Sequence, residues 1–267
     1  MTGWQAIPLW DDDVFGDLPA PVAETAVAVV VEDSEAVPVL PAPGGLIGVF
    51  DLETTGVDVR EDRIVTAHVG VLDATGTVVQ ATSWMADPGV EIPEGASAIH
   101  GISTERARAE GRPAGEVVAE VTSALRALFD AGIPVVAYNA SFDFSMLRYE
   151  GIRHAVPTID APAPVVDPLV VDKTFDRYRR GKRTLEVVAA HYAVVLEGAH
   201  DAAADAVAAG RVAQAIAARF ALDLTAPELH TQQIGWARAQ AESLTEYFIS
   251  IGRLDPADAL DGSWPIR

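Results

Sequence analysis

The stretch Leu46–Gly56, LIGVFDLETTG, constrains this chain more than any other. Leu46, Ile47, Val49 and Phe50 are apolar on both alternating faces, as a strand covered on two sides requires. The run then stops at two acids, Asp51 and Glu53, and a Thr54-Thr55-Gly56 turn. Residues two apart on a strand share a face, so both carboxylates project together. Side by side they repel, and a cation between them relieves the repulsion. An isolated Asp-x-Glu is usually solvated surface. One that ends a buried strand, followed by hydroxyls and a glycine, raises the expectation of a metal site.

The surrounding pattern predicts an α/β fold. Strands are expected over Leu46–Leu52, Arg63–Leu72 and Thr77–Met85, the last two joined by an Asp73–Gly76 hairpin. The stretch Asp87–Ile102 reads as irregular. A helix over Gly115–Ala131 carries Val117, Val118, Val121, Leu125 and Leu128 at helical spacing. Short strands follow at Ile133–Ala137 and Val165–Val166. Further helices are expected over Phe142–Glu150, capped by Ser141, then Asp167–Arg177, Thr184–Tyr192, Ala202–Ala221 and Pro227–Ile251. This is a five-stranded mixed sheet flanked by helices, with an extra C-terminal helix. Three regions are expected: an acidic, proline-containing and disordered tail over 1–44, a domain over 45–221, and a helical extension over 222–267 that packs on it. Ala26–Val31 is the one β-prone segment of the tail, suited to an edge strand or a partner.

Two more acids stand out. Asp143 follows the fourth strand at the start of a helix, where ligands gather in open α/β sheets. Asp205 shares a stripe with Ala209, Val212, Ile216 and Phe220, the core-facing side of its helix. A carboxylate there is costly without a partner, and no Lys or Arg shares the stripe. Asp201 reads as the cap of that helix. His200 lies five residues before Asp205, and its ordinary pKa suits proton transfer near neutral pH. Of the other histidines only His100, in Ile99-His100-Gly101, has comparable context. Oxygen-only ligands favour Mg²⁺ or Mn²⁺. Two such ions activate water and stabilise a leaving oxygen in phosphodiester cleavage.

FDLETTG at 50–56, AIHGIS at 98–103, NASFDFSML at 139–147 and AHDAAADA at 199–206 together resemble the motifs of the DEDDh 3′→5′ exonucleases. That family includes the proofreading epsilon subunit of bacterial DNA polymerase III. The resemblance spans about Leu46–Phe220 and implies an RNase H-like fold, two metal ions and release of nucleoside 5′-monophosphates. It implies metal binding by Asp51, Glu53, Asp143 and Asp205, with His200 as general base. It also implies substrate contacts at Thr54, Thr55, His100, Asn139 and Phe142. Arg177, Arg179, Arg180, Lys182 and Arg183 form the one dense basic run, read either as a solvated loop or as phosphate contacts through Arg179, Arg180 and Lys182.

The net charge is −20, and residues 1–45 supply eight acids and no base. That argues against a passive nucleic-acid binder but not against an enzyme meeting phosphates through metal ions. The absence of cysteine excludes disulfides and thiolate chemistry. No apolar run is long enough to span a membrane, and no cation precedes Arg60, so a cytoplasmic location is expected. The expected partner is a single-stranded or frayed 3′ end, DNA favoured, with a DNA polymerase as a possible second partner. The alternatives are an exoribonuclease with the same mechanism and a non-catalytic module that binds a polymerase or 3′ ends.

Overall fold

The computed structural model describes residues 45–196, 198–255 and 257–267. The tail over 1–44, with Ala26–Val31, lies outside these described residues.

In chain order the elements are β1 (Ile47–Thr54), β2 (Ile64–Leu72), β3 (Val78–Asp87), α1 (Glu94–His100), α2 (Thr104–Glu110), β4 (Arg112–Pro113) and α3 (Ala114–Asp130). They continue with β5 (Val135–Val136), α4 (Ala140–Arg153), β6 (Val165–Val166), α5 (Pro168–Phe175), α6 (Leu185–His191), α7 (Ala202–Arg219) and α8 (Ala226–Ser250). The sheet order is β4-β3-β2-β1-β5-β6. β1, β2 and β3 form an antiparallel meander, while β5 lies parallel to β1 and β6 parallel to β5.

β1 is inside the sheet and covered on both faces. Phe50 and Leu52 join a core with α3 and α4, where the Phe50 and Phe144 rings stand 5.3 Å apart. Ile47 and Val49 join the opposite core with Val212, Ala213 and Ile216 of α7. Asp51 and Glu53 continue the Val49 face, so they emerge on the α7 side. Gly210 lets α7 lie close to the sheet. A Cβ there would stand 2.5 Å from Val49 Cγ1 and 2.6 Å from Leu72 Cδ1.

The extra C-terminal helix is present, and three of its buried residues are Leu229, Gln233 and Phe248. Asp167 connects this region to the rest. Its buried carboxylate accepts hydrogen bonds from the Asn139 amide (3.0 Å), the Ala140 amide (2.9 Å), the Leu169 amide (3.0 Å) and the Trp264 indole (3.3 Å). Its own amide donates to Gln233 Oε1 at 2.7 Å.

The architecture is the expected mixed α/β arrangement, with differences in detail. The sheet has six strands, because Arg112–Pro113 pairs with Ala86–Asp87 at the end of β3. Two exposed residues carry no periodicity to read. The segment expected to be irregular contains α1, which buries no residue and so shows no apolar stripe. The cap of α4 is Asn139, not Ser141. The side chain satisfying its first amides is Asp167, 28 residues on from Asn139. No local pattern could show that partner.

Candidate active site

Asp51, Glu53 and Asp205 converge: each offers a carboxylate oxygen, and these atoms lie within 4.8 Å of one another. β1 supplies the first two, and the first turn of α7 supplies the third. Asp201 caps α7 as expected, accepting from the Ala203 and Ala204 amides at 3.0 and 3.1 Å. That cap fixes the turn carrying Asp205. Asp143 reaches the same end of β1 from the opposite helical layer, in the first turn of α4, and is 2% exposed.

The electrostatics match a site built for cations. Burial, then the charges of Asp143, Asp205 and Glu53, push the Asp51 carboxyl well above the usual range. Burial, then Asp205 and Asp201, raise Glu53 to about 7. Burial raises Asp205 to about 6, against the His200 amide that donates to it. Asp143 is raised by burial, opposed by its own backbone amide and that of Leu52. Clustered carboxylates shifted upward together are poorly compensated by the protein itself. Asp205 Oδ1 is buried with no hydrogen-bond partner. Orphan oxygens of this kind call for an ion or water. The all-oxygen donor set fits Mg²⁺ or Mn²⁺.

His200 sits just outside the carboxylates. Its backbone adopts a left-handed conformation (φ 66°), and its amide donates to Asp205 Oδ2 at 3.1 Å. Its exposed imidazole stands with Nε2 3.5 Å from Glu186 Oε1. Sequence reasoning missed Glu186, because an acid in the first turn of α6 reads simply as a dipole match.

The other candidates have mixed surroundings. Thr54 Oγ1 donates to the Gly56 carbonyl at 2.6 Å. Thr55 is turned inward: its hydroxyl accepts from the Arg63 amide and donates to Asp62 Oδ1, both at 3.0 Å. His100 ends α1, where burial lowers its imidazole and the Thr54 carbonyl opposes that shift. Asn139 is left-handed (φ 61°), and Phe142 packs half-buried against the α3–α4 core. Arg179 is drawn into the protein, with Nη2 2.6 Å from the buried Asp172. Arg180 and Lys182 remain on the surface.

The RNase_T exonuclease family matches residues 49–213. DNA polymerase III PolC-type of Streptococcus thermophilus is 28% identical over 165 residues, covering 61% of this chain and 10% of that protein. The PolC-type polymerase of Lacticaseibacillus paracasei is 31% identical over 169 residues, covering 63% and 11%. The chain thus spans about a tenth of the length of the curated relatives it matches. Among solved structures, E. coli exonuclease I in complex with a dT13 oligonucleotide superposes with TM-score 0.53 and 21% identity, over 65% of this chain and 41% of that one. A moderately thermophilic exonuclease I from Methylocaldum szegediense gives TM-score 0.55 and 20% identity, over 76% and 45%. These structures share the RNase H-like fold.

Proposed function

The chain belongs to the RNase_T exonuclease family, and on that premise we propose that it shortens nucleic-acid strands from the 3′ end, with DNA the favoured substrate. Family membership makes it a nuclease, a hydrolase of phosphodiester bonds. The convergence of Asp51, Glu53 and Asp205 within 4.8 Å carries the finer reading, since bound cations offset the mutual repulsion of the ionised carboxylates. Two divalent ions, Mg²⁺ or Mn²⁺, held by these three acids and Asp143, would supply the charge that ionises water and stabilises the leaving oxygen. His200 is the proton acceptor. Its exposed ring is free to meet an incoming water, and Glu186 at 3.5 Å stabilises the imidazolium that forms. Thr54 and His100 border the place where a terminal nucleotide would sit, while Thr55 holds the turn in shape.

The oligonucleotide held by E. coli exonuclease I supports single-stranded DNA as the partner class. The PolC-type relatives support association with a polymerase as a second property of the same nuclease. We assign the nuclease unit to residues 45–221 and treat 222–267 as an extension packed on it. Among the described residues, no helix is long and apolar enough to cross a membrane.

The test offers 5′-labelled single-stranded DNA, mismatched primer–template DNA and RNA, each with Mg²⁺, Mn²⁺ or EDTA. Metal-dependent shortening from the 3′ end, abolished by Asp51→Ala, is expected. Shortening that survives Asp51→Ala would overturn the assignment, and preference for RNA would move the substrate to RNA.

A further inference from the structure

We propose that Tyr178 is a stacking platform for a base of the bound strand, presented by the loop 176–183 that leads into α6; this rests on the nuclease reading above. The loop joins α5 to α6 and carries Arg177, Arg179, Arg180, Lys182 and Arg183 against one acid, Asp176, in a chain of net charge −20.

Its arginines divide into two sets. Arg179 and Arg183 turn inward onto Asp172, which is 0% exposed and also accepts from the Tyr192 hydroxyl at 2.8 Å. Asp176 holds Arg179 Nε at 3.2 Å and His191 Nε2 at 3.1 Å. The Tyr138 hydroxyl donates to the Arg183 carbonyl, tying the loop to the end of β5. The loop is therefore pinned at both ends and in its middle.

What the pinned loop projects outward is an aromatic ring. Tyr178 is 77% exposed, the most exposed of the large apolar and aromatic side chains among the described residues. The Arg177 guanidinium lies 5.8 Å from the ring centre, and Arg180 is exposed nearby. An exposed aromatic ring accompanied by cations is the chemistry that holds single-stranded nucleic acid: bases stack, and cations follow the phosphates. The loop also has the right address. α6 starts two residues after Arg183, and Glu186 in its first turn is the residue beside His200. Stacking is indifferent to the sugar, so the platform serves DNA and RNA alike.

The experiment compares wild type, Tyr178→Ser and Tyr178→Trp. Binding of a labelled 16-nucleotide oligothymidylate is measured by anisotropy with Ca²⁺ in place of Mg²⁺. A single abasic position is walked back from the 3′ end. Hydrolysis of thymidine 5′-(p-nitrophenyl phosphate), a diester carrying a single base, reads the carboxylate site separately. Tyr178→Ser is expected to weaken strand binding about five- to hundredfold, a loss at least about fivefold larger than its effect on the ester, and Tyr178→Trp to restore it. One abasic position should weaken wild type comparably and lose its effect in Tyr178→Ser. Strand affinity within twofold of wild type in Tyr178→Ser, or an abasic penalty identical in both proteins, would overturn the proposal. If wild type cleaves neither ester nor strand, the nuclease reading fails while the binding data still judge Tyr178.

Discussion

Replacing Asp205 by Asn should make the metal-free protein more stable while removing its activity. The Asp205 carboxyl titrates near 6 in the folded chain. Against an ordinary value of about 3.9, its ionised form is penalised by about 3 kcal/mol in the fold. Asp205 is half-buried, so solvent screening reduces the expected gain from neutralising it to about 1–2 kcal/mol. For a domain of this size that corresponds to a rise in Tm of about 2–8 °C. Asn keeps an oxygen for the His200 amide, now 3.1 Å from the carboxylate. The sign follows from linkage. A carboxyl with a raised folded pKa contributes full stability below its unfolded pKa and loses it as pH rises through the folded one. The advantage of the variant is therefore complete above about pH 7, falls to roughly half near pH 5, and disappears below about pH 4. Saturating Mg²⁺ should reverse the order, because wild type gains binding energy that the variant has lost. Thermal unfolding followed by circular dichroism at pH 8 and pH 5, with EDTA or Mg²⁺, reads all of this. A variant no more stable than wild type at pH 8 in EDTA, or a difference independent of pH, would refute the picture of a repulsive, cation-requiring cluster.

Four other substitutions probe separate links. His200→Ala should lower single-turnover strand shortening by about 10²–10⁴-fold, and Glu186→Gln by less. Mn²⁺ affinity by electron paramagnetic resonance should change little in either variant. Gly210→Val should destabilise by about 1–3 kcal/mol in urea, because the added carbons meet Val49 and Leu72, and it should also impair catalysis by lifting Asp205. Asp172→Ala leaves Arg179 and Arg183 without their buried partner and should cost about 3–5 kcal/mol in thermal unfolding.

Sequence reasoning went furthest where one residue's neighbours reveal its surroundings. The apolar run before Asp51 shows a covered strand, and the stripe through Ala209, Val212 and Ile216 shows that Asp205 faces inward. These local periodicities suffice for the strand and the helix; the meeting of the acids is a tertiary fact that the structure supplies. They fail where the partner is distant or the element buries nothing. α1 has no buried side chain and no stripe. β4 is two exposed residues. The basic run read as one solvated or phosphate-facing unit, yet Arg179 and Arg183 belong to Asp172. A signal for that was available: Asp172 interrupts the apolar run Leu169-Val170-Val171, and an acid so placed needs cations nearby. Glu186 offered no such signal, because an acid at a helix start is already accounted for.

The Asp167 carboxylate has a consequence for how the molecule comes apart. It is the shared acceptor for amides that begin α4 and α5 and for the indole of Trp264, and its backbone is held by Gln233 of α8. Opening any one of these segments leaves the others with an unsatisfied buried group, so they should open as one cooperative unit. In hydrogen exchange, the Asn139, Ala140 and Leu169 amides should then report a common opening free energy, shared with the core of α8. The helix that carries Asp143 is thereby as persistent as the C-terminal segment that clasps it.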